Sequence, residues 1–190
     1  MKTPIVIIGI GKSGTAAKKL LLARGLASDL IYTFDEKNSE AQFKQWAELE
    51  SLNIGTLVVS PGVPLASPGL VRLKNKGWEI TSEINLACDH FTDEIIIGIT
   101  GSVGKSTVTS LLGEALKNAD ANAFVGGNLG TPLAQYAIDL ITQKKKAKYI
   151  AVELSSYQLE NAQKLKLDYS AITFLSSNHL ERYASADEYY

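Results

Sequence analysis

Apolar residues in this chain come in short unbroken runs, separated by stretches in which they recur every three or four positions. PIVIIGI at 4–10, LIYTFD at 30–35 and TLVVSPG at 56–62 are too short for buried helices, and each delivers the chain into turn residues. They predict parallel strands buried on both faces. Between them, GTAAKKLLLARG and SEAQFKQWAELES have helical spacing, the second with Ser39 as its expected N-cap. After WEITSEINLACDHFTDE a second series begins. Strands are expected from IIIGIT (95–100), NAFVGGN (122–128), KYIAVELSS (148–156) and YSAITFLSS (169–177), with helices over 105–117 and after Pro132. SADEYY reads as the first turn of a helix capped by Ser185. Strict alternation of this kind predicts an α/β fold of two doubly wound units in tandem, divided near Asp89–Asp93.

Composition narrows the function classes. The 190 residues are 45% hydrophobic, enough for a substantial core. With 19 basic and 20 acidic residues the net charge is −1, so no overall field draws the chain to nucleic acid or to an anionic membrane. One cysteine, Cys88, excludes an internal disulfide, and two histidines leave no Cys/His cluster at zinc spacing. No apolar run is long enough to cross a bilayer, and MKTPIVIIGIGKSG turns polar before any cleavage site, so a cytoplasmic location is expected. The run KKKAK (144–148) reads as a solvated helix end. Trp46 and Trp78 read as packing residues, and Cys88 and His90 as structural.

Two glycine-rich turns carry the candidate chemistry. GIGKSG places Gly9, Gly11 and Gly14 between a strand and a helix, with Asp35 ending the next strand. Such a turn brings backbone N–H groups against a pyrophosphate at a helix N-terminus, and the acid can bond a ribose hydroxyl. This makes residues 1–92 a Rossmann-like unit. A loop of amides does not tell one pyrophosphate from another, so NAD(P) and other nucleotide diphosphates both remain open here. The second turn, TGSVGKST, follows a buried strand. Gly101 and Gly104 let the backbone wrap phosphates, Lys105 can reach the β- and γ-phosphates, and Ser106 can offer a hydroxyl to Mg²⁺. The strict phosphate-loop pattern requires a further glycine where Ile99 stands. Glu153, at the carboxyl end of a later strand, is placed to hold the metal or its water. Residues 93–190 are thus expected to be a P-loop NTPase-like α/β unit, truncated before its last elements. A dehydrogenase has no use for the lysine loop, and a simple NTPase has none for the first unit. A ligase that activates a nucleotide-linked substrate with ATP uses both.

TGSVGKSTVTSLLGE, GGNLGTPL, VELSSYQLE and NHLERY, in this order after GIGKSG and SPGV, resemble the Mur ligases of peptidoglycan synthesis, and among these the D-glutamate-adding kind. The similarity runs over essentially the whole chain. It implies ATP and Mg²⁺ as cofactors, UDP-N-acetylmuramoyl-L-alanine and D-glutamate as substrates, an acyl-phosphate intermediate, and a monomer for the complete enzyme.

By resemblance, Gly101, Ser102, Gly104, Lys105, Ser106 and Thr107 would bind the nucleotide. Lys105, Asn128, Glu153 and His179 would be catalytic, with Ser106, Glu153 and His179 at the metal. Gly11, Lys12, Ser13 and Gly14 would meet the pyrophosphate, and Asp35, Glu36 and Lys37 the uridine. Ser60, Pro61 and Gly62 would form the neighbouring loop, and Ser155 and Ser156 would lie near the substrate. Val103 and Phe174 stand where the family usually has asparagine, and Asn178 where it has aspartate. Family members are about twice as long, with a third domain for the amino acid and a carbamylated lysine beyond His179. The resemblance therefore also implies that this chain alone binds the UDP substrate without ligating it. A non-catalytic UDP-sugar-binding relative is the second reading, and a nicotinamide-dependent oxidoreductase the third.

Overall fold

The computed structural model describes residues 1–128, 130–176, 182, 183 and 185. The chain alternates strand and helix throughout. Strand β1 (Ile5–Ile8) leads into α1 (Lys12–Ala23), β2 (Ile31–Phe34), the short α2 (Trp46–Leu49), β3 (Thr56–Val59), α3 (Pro68–Asn75), β4 (Glu79–Thr81) and α4 (Glu83–Cys88). The second half runs through β5 (Ile95–Thr100), α5 (Lys105–Ala119), β6 (Phe124–Gly127), α6 (Leu133–Gln143), β7 (Tyr149–Glu153), α7 (Ser156–Leu159) and β8 (Tyr169–Ile172). Two parallel sheets result, ordered β2-β1-β3-β4 and β6-β7-β5-β8. In each, the glycine-rich turn leaves an inner strand, β1 or β5, so its carboxyl end opens between neighbours.

The first sheet is apolar on both faces because it is covered on both. Along β1, Ile5 and Ile7 enter one core while Val6 and Ile8 enter the other, as the two-residue repeat of a strand requires. The core on the side of Val6 and Ile8 is closed by Leu49, Leu70, Leu73 and Trp78. The opposite core does not stop at the first sheet. It continues from Leu20 and Leu21 of α1 through Ile84 and Ala87 of α4 to Leu133, Tyr136 and Ala137 of α6 and on to Ile150 and Val152 of β7. The two units thus share one hydrophobic interior, with α1 and α4 packed directly on α6.

Buried polar groups lock this junction. Ser82 caps α4, its Oγ accepting the Asn85 N–H at 3.2 Å, and the same hydroxyl donates to the Asn161 carbonyl. Asn161 Nδ2 returns a bond to the Thr81 carbonyl at 3.1 Å. The Glu83 carboxylate, 4% exposed, accepts the Ala134 N–H at the start of α6. That helix has no acid in its own first turn, and Pro132 makes no side-chain cap, so α4 supplies the acceptor for its N-terminus across the junction.

Two local departures from the sequence expectations stand out. No helix starts at Ser39; residues 41–43 run extended beside β2, with the Phe43 N–H donating to the Thr33 carbonyl at 3.0 Å and the Asp35 N–H to the Phe43 carbonyl at 3.1 Å. Only α2 forms there, closed by a capping box between Gln45 and Glu48. The expected strand 148–156 ends at Glu153, because Ser155 caps α7 reciprocally with Gln158. The expectations for Ser177, Asn178, His179 and the helix after Ser185 lie outside the described residues.

Candidate active site

The first glycine turn is held by side chains as well as by its own geometry. Gly9 has φ +84°, and its carbonyl accepts the Ser60 hydroxyl at 2.7 Å. A Cβ on Gly14 would run into that same Gly9 carbonyl, so helix α1 can approach the turn only with glycine at this position. Asp35 is committed locally: Oδ2 accepts the Ile10 N–H at 3.1 Å, and Oδ1 accepts those of Lys37 and Asn38 at 3.0 and 3.1 Å. Desolvation pushes its pKa up, but these N–H groups outweigh it and hold the carboxyl below the ordinary carboxylate range. In this structure Asp35 builds the loop after β2, the segment that carries Glu36 and Lys37, and ties it to the turn after β1.

The second turn accounts for its missing glycine. Ile99 is fully buried within β5, opposite Glu153 of β7, and its carbonyl accepts the Leu154 N–H at 2.8 Å. The loop begins only at Gly101, so position 99 needs a strand former rather than a flexible residue. Gly101 and Gly104 have φ +135° and +87°. The loop is fastened by the segment after β8. Thr173 Oγ1 donates to the Val103 carbonyl at 2.6 Å, and the Ser102 N–H donates to the Phe174 carbonyl at 2.6 Å. Ser102 Oγ donates to the Ser176 carbonyl at 2.8 Å. Lys105 Nζ folds back onto the carbonyls of Gly101 and Ser102 at 2.5 and 3.2 Å. Ser106 and Thr107 are exposed in the first turn of α5.

Beside this loop, Asn128 and Glu153 form a unit. The Asn128 N–H donates to the Glu153 carbonyl, and Asn128 Nδ2 donates to Glu153 Oε1, both at 2.8 Å. Glu153 is 2% exposed, and its Oε2 has no partner among the described residues. A buried carboxylate oxygen in that condition fits a cation, which would supply the missing interaction. Among the described residues no group of three or more His, Cys, Asp or Glu side chains converges, so a cation here would draw on Glu153 and on ligand phosphates, with Ser106 the further donor expected from the sequence. His179, expected at the metal, lies outside the described residues.

The two turns open into one cleft of about 760 Å³. Gly11, Lys12, Ser13, Asp35, Glu36, Lys37, Ser60, Pro61 and Gly62 line it from the first unit, and Lys105, Asn128 and Ser155 from the second. Gly14, Ser156 and Glu153 are not among its lining residues. Sequence reasoning missed several lining residues, four of them with hydrogen-bonding side chains. Trp46, packed on Phe34 at 4.3 Å between ring centroids, also faces the cleft, as do Ser67, Tyr157 and Gln158. Tyr157 and Gln158 lie within VELSSYQLE, where only Glu153 and the two serines stood out. Cys88 stays structural, its thiol pushed up to about 12 chiefly by burial. His90 accepts a bond from Arg24 Nε at 2.7 Å.

Glycine-rich turns on two parallel sheets, opening into a single cleft, define an α/β protein with a candidate ligand site between its sheets. Residues 99–190 match the model of the Mur ligase middle domain. The chain is 36% identical to the UDP-N-acetylmuramoylalanine–D-glutamate ligase of Saccharophagus degradans over 203 residues, covering 98% of the chain and 43% of that protein. It is 34% identical to the ligase of the same name from Clostridioides difficile, covering 97% of the chain and 43% of that protein. In fold it is similar to the UDP-N-acetylmuramate:L-alanyl-gamma-D-glutamyl-meso-diaminopimelate ligase of Neisseria meningitides, with a TM-score of 0.61 at 15% identity over 100% of the chain and 65% of that structure. Over nearly its whole length the chain is thus similar to Mur ligases, and its second half matches their middle domain. It spans less than half the length of the curated relatives it matches. No helix among the described residues is long and apolar enough to cross a membrane.

Proposed function

We propose that this chain carries the substrate and nucleotide sites of a peptidoglycan-precursor ligase, one that joins D-glutamate to UDP-N-acetylmuramoyl-L-alanine with ATP. The observation that supports it most is the shared cleft, in which the turn after β1 and Lys105 of the loop after β5 face the same space. On this reading residues 1–92 hold the UDP-linked substrate and residues 93–190 the ATP.

The residues have separable tasks. The N–H groups of Gly11 to Gly14 at the head of α1 receive the pyrophosphate, with Lys12 adding charge. Glu36, Lys37 and the Ser60–Gly62 loop border the nucleoside and sugar, and Ser155 faces them from α7. Lys105 leaves the Gly101 and Ser102 carbonyls for the β- and γ-phosphates, where its charge stabilises the phosphoryl oxygens during transfer. Mg²⁺, held through Glu153 and Ser106, would neutralise further phosphate charge. Asn128, fixed on Glu153, borders the transferring phosphoryl group.

A substrate carboxylate oxygen attacks the γ-phosphorus and ADP departs. The D-glutamate amine nitrogen then attacks the acyl carbon, phosphate leaves with the C–O electron pair, and loss of the amine proton completes the amide. The second step belongs to the whole protein, because the residues described here include no assigned acceptor site.

Calorimetric titration with UDP-N-acetylmuramoyl-L-alanine, ADP with Mg²⁺, and NADH tests the reading. Heat from the first two and none from NADH is expected. Binding of NADH alone would overturn it in favour of a nicotinamide site at GIGKSG.

A further inference from the structure

Behind the cleft wall, one side chain ties the two units together. Arg182 sends Nη1 to the Pro61 carbonyl of the first unit at 2.9 Å. Its Nε and Nη2 bind the two carboxylate oxygens of Glu160 in the second unit at 2.9 and 2.6 Å. The guanidinium also lies 4.3 Å from the centroid of the Tyr157 ring. The Arg182 side chain is 10% exposed and that of Glu160 24%, and Tyr183 Oη donates to Glu160 Oε1 at 2.9 Å. A guanidinium suits such a place because it is always charged and presents its donors in a fixed planar fork. A lysine ammonium cannot bind a carboxylate bidentately, reach a third acceptor and stack on a ring at once.

Pro61 and Tyr157 both line the cleft, from opposite units. We propose that Arg182 is a positioning residue: by gripping the Pro61 carbonyl, Glu160 and the Tyr157 ring together, it fixes the Ser60–Gly62 loop against α7 and sets the distance between the walls that receive the UDP-linked substrate. The substrate part rests on the function proposed above. Lys105 and the loop after β5 make none of these contacts, so the nucleotide phosphates do not depend on Arg182.

The test compares R182K and R182A with the unmodified chain, using amide hydrogen exchange and calorimetry with UDP-N-acetylmuramoyl-L-alanine and with ADP–Mg²⁺. Exchange over residues 60–64 is expected to accelerate at least about tenfold in both variants, with β1 and α5 unchanged. The affinity for the UDP compound is expected to fall about tenfold and that for ADP to stay within about twofold. R182K keeps the charge and much of the side-chain volume, so it serves if R182A does not fold. Unchanged exchange at 60–64 in R182K, or equal losses for both ligands, would overturn the proposal. If the unmodified chain binds no UDP compound, the functional reading falls, and the exchange measurement still decides whether Arg182 fixes the loop.

Discussion

Asn128 grips Glu153 twice, its backbone N–H on the Glu153 carbonyl and its side-chain amide on Oε1, both at 2.8 Å. The pair thereby aims one carboxylate oxygen, Oε2, at a place where no described residue meets it. Glu153→Gln preserves the acceptor for Asn128 and removes the charge. The Mg²⁺-dependent gain in ADP affinity is expected to shrink at least about tenfold, while the melting temperature without ligand rises because a buried charge has gone. Titrations with and without Mg²⁺, beside a thermal melt, check both signs.

Lys105 is the one side chain of the phosphate loop on the cleft surface. Lys105→Met removes a charge-assisted bond to phosphate. ADP affinity is expected to fall by about 2 kcal/mol, roughly thirtyfold, with binding of the UDP compound within about twofold. Calorimetry on one preparation reads both values.

Glu83 predicts an unusual pH dependence of stability. Burial raises its carboxyl to about 7 from an ordinary 4.5, against the smaller opposing effect of the Ala134 N–H. Between those values the folded chain holds a proton that the unfolded chain releases. The stabilisation is therefore complete below about 4.5 and lost as the pH rises to about 7, by roughly 3 kcal/mol. Glu83→Gln keeps the acceptor for Ala134 and should flatten this slope. Urea unfolding at a series of pH values measures it, and equal slopes in the two proteins would rule the explanation out.

Gly14→Ala brings a methyl group onto the Gly9 carbonyl, with Ile7 and Ser60 also close. Backbone cannot yield as a side-chain tip can, so a destabilisation of about 1–3 kcal/mol is expected, together with loss of UDP-compound binding. Denaturant midpoints and calorimetry on the variant check the two effects.

How much of this the sequence carried depends on the range of the interaction. The succession β5, glycine loop, α5 was legible because a buried strand, a turn needing positive φ and a helix start are all local. The gap at Ile99 was a mismatch of pattern rather than of structure, since the loop proper starts two residues later. The helix expected from Ser39 failed for a non-local reason. Gln42 Oε1 accepts the Thr33 N–H at 3.0 Å, and Phe43 pairs with β2, so residues with acceptable helical spacing lie extended instead. Tyr157 at the cleft and Arg182 beside it escaped for the same cause: their positions follow from how α7 meets the loop after β3, which no spacing along the chain reveals. Trp46 was read as packing. It does pack, against Phe34, and another part of its surface borders the cleft.

Among the described residues, strand β8 is paired on one side only, with β5. Tyr169 and Ile172 are 65% and 62% exposed, and Phe174 just after them 60%. In a concentrated solution a bare strand edge flanked by large apolar groups is a template on which further chains can stack, so colloidal behaviour rather than unfolding should govern how long this chain stays in solution. Light scattering at fixed temperature should climb steeply with concentration, and a lysine at position 172, Ile172→Lys, should slow the climb without moving the melting temperature by more than a few degrees.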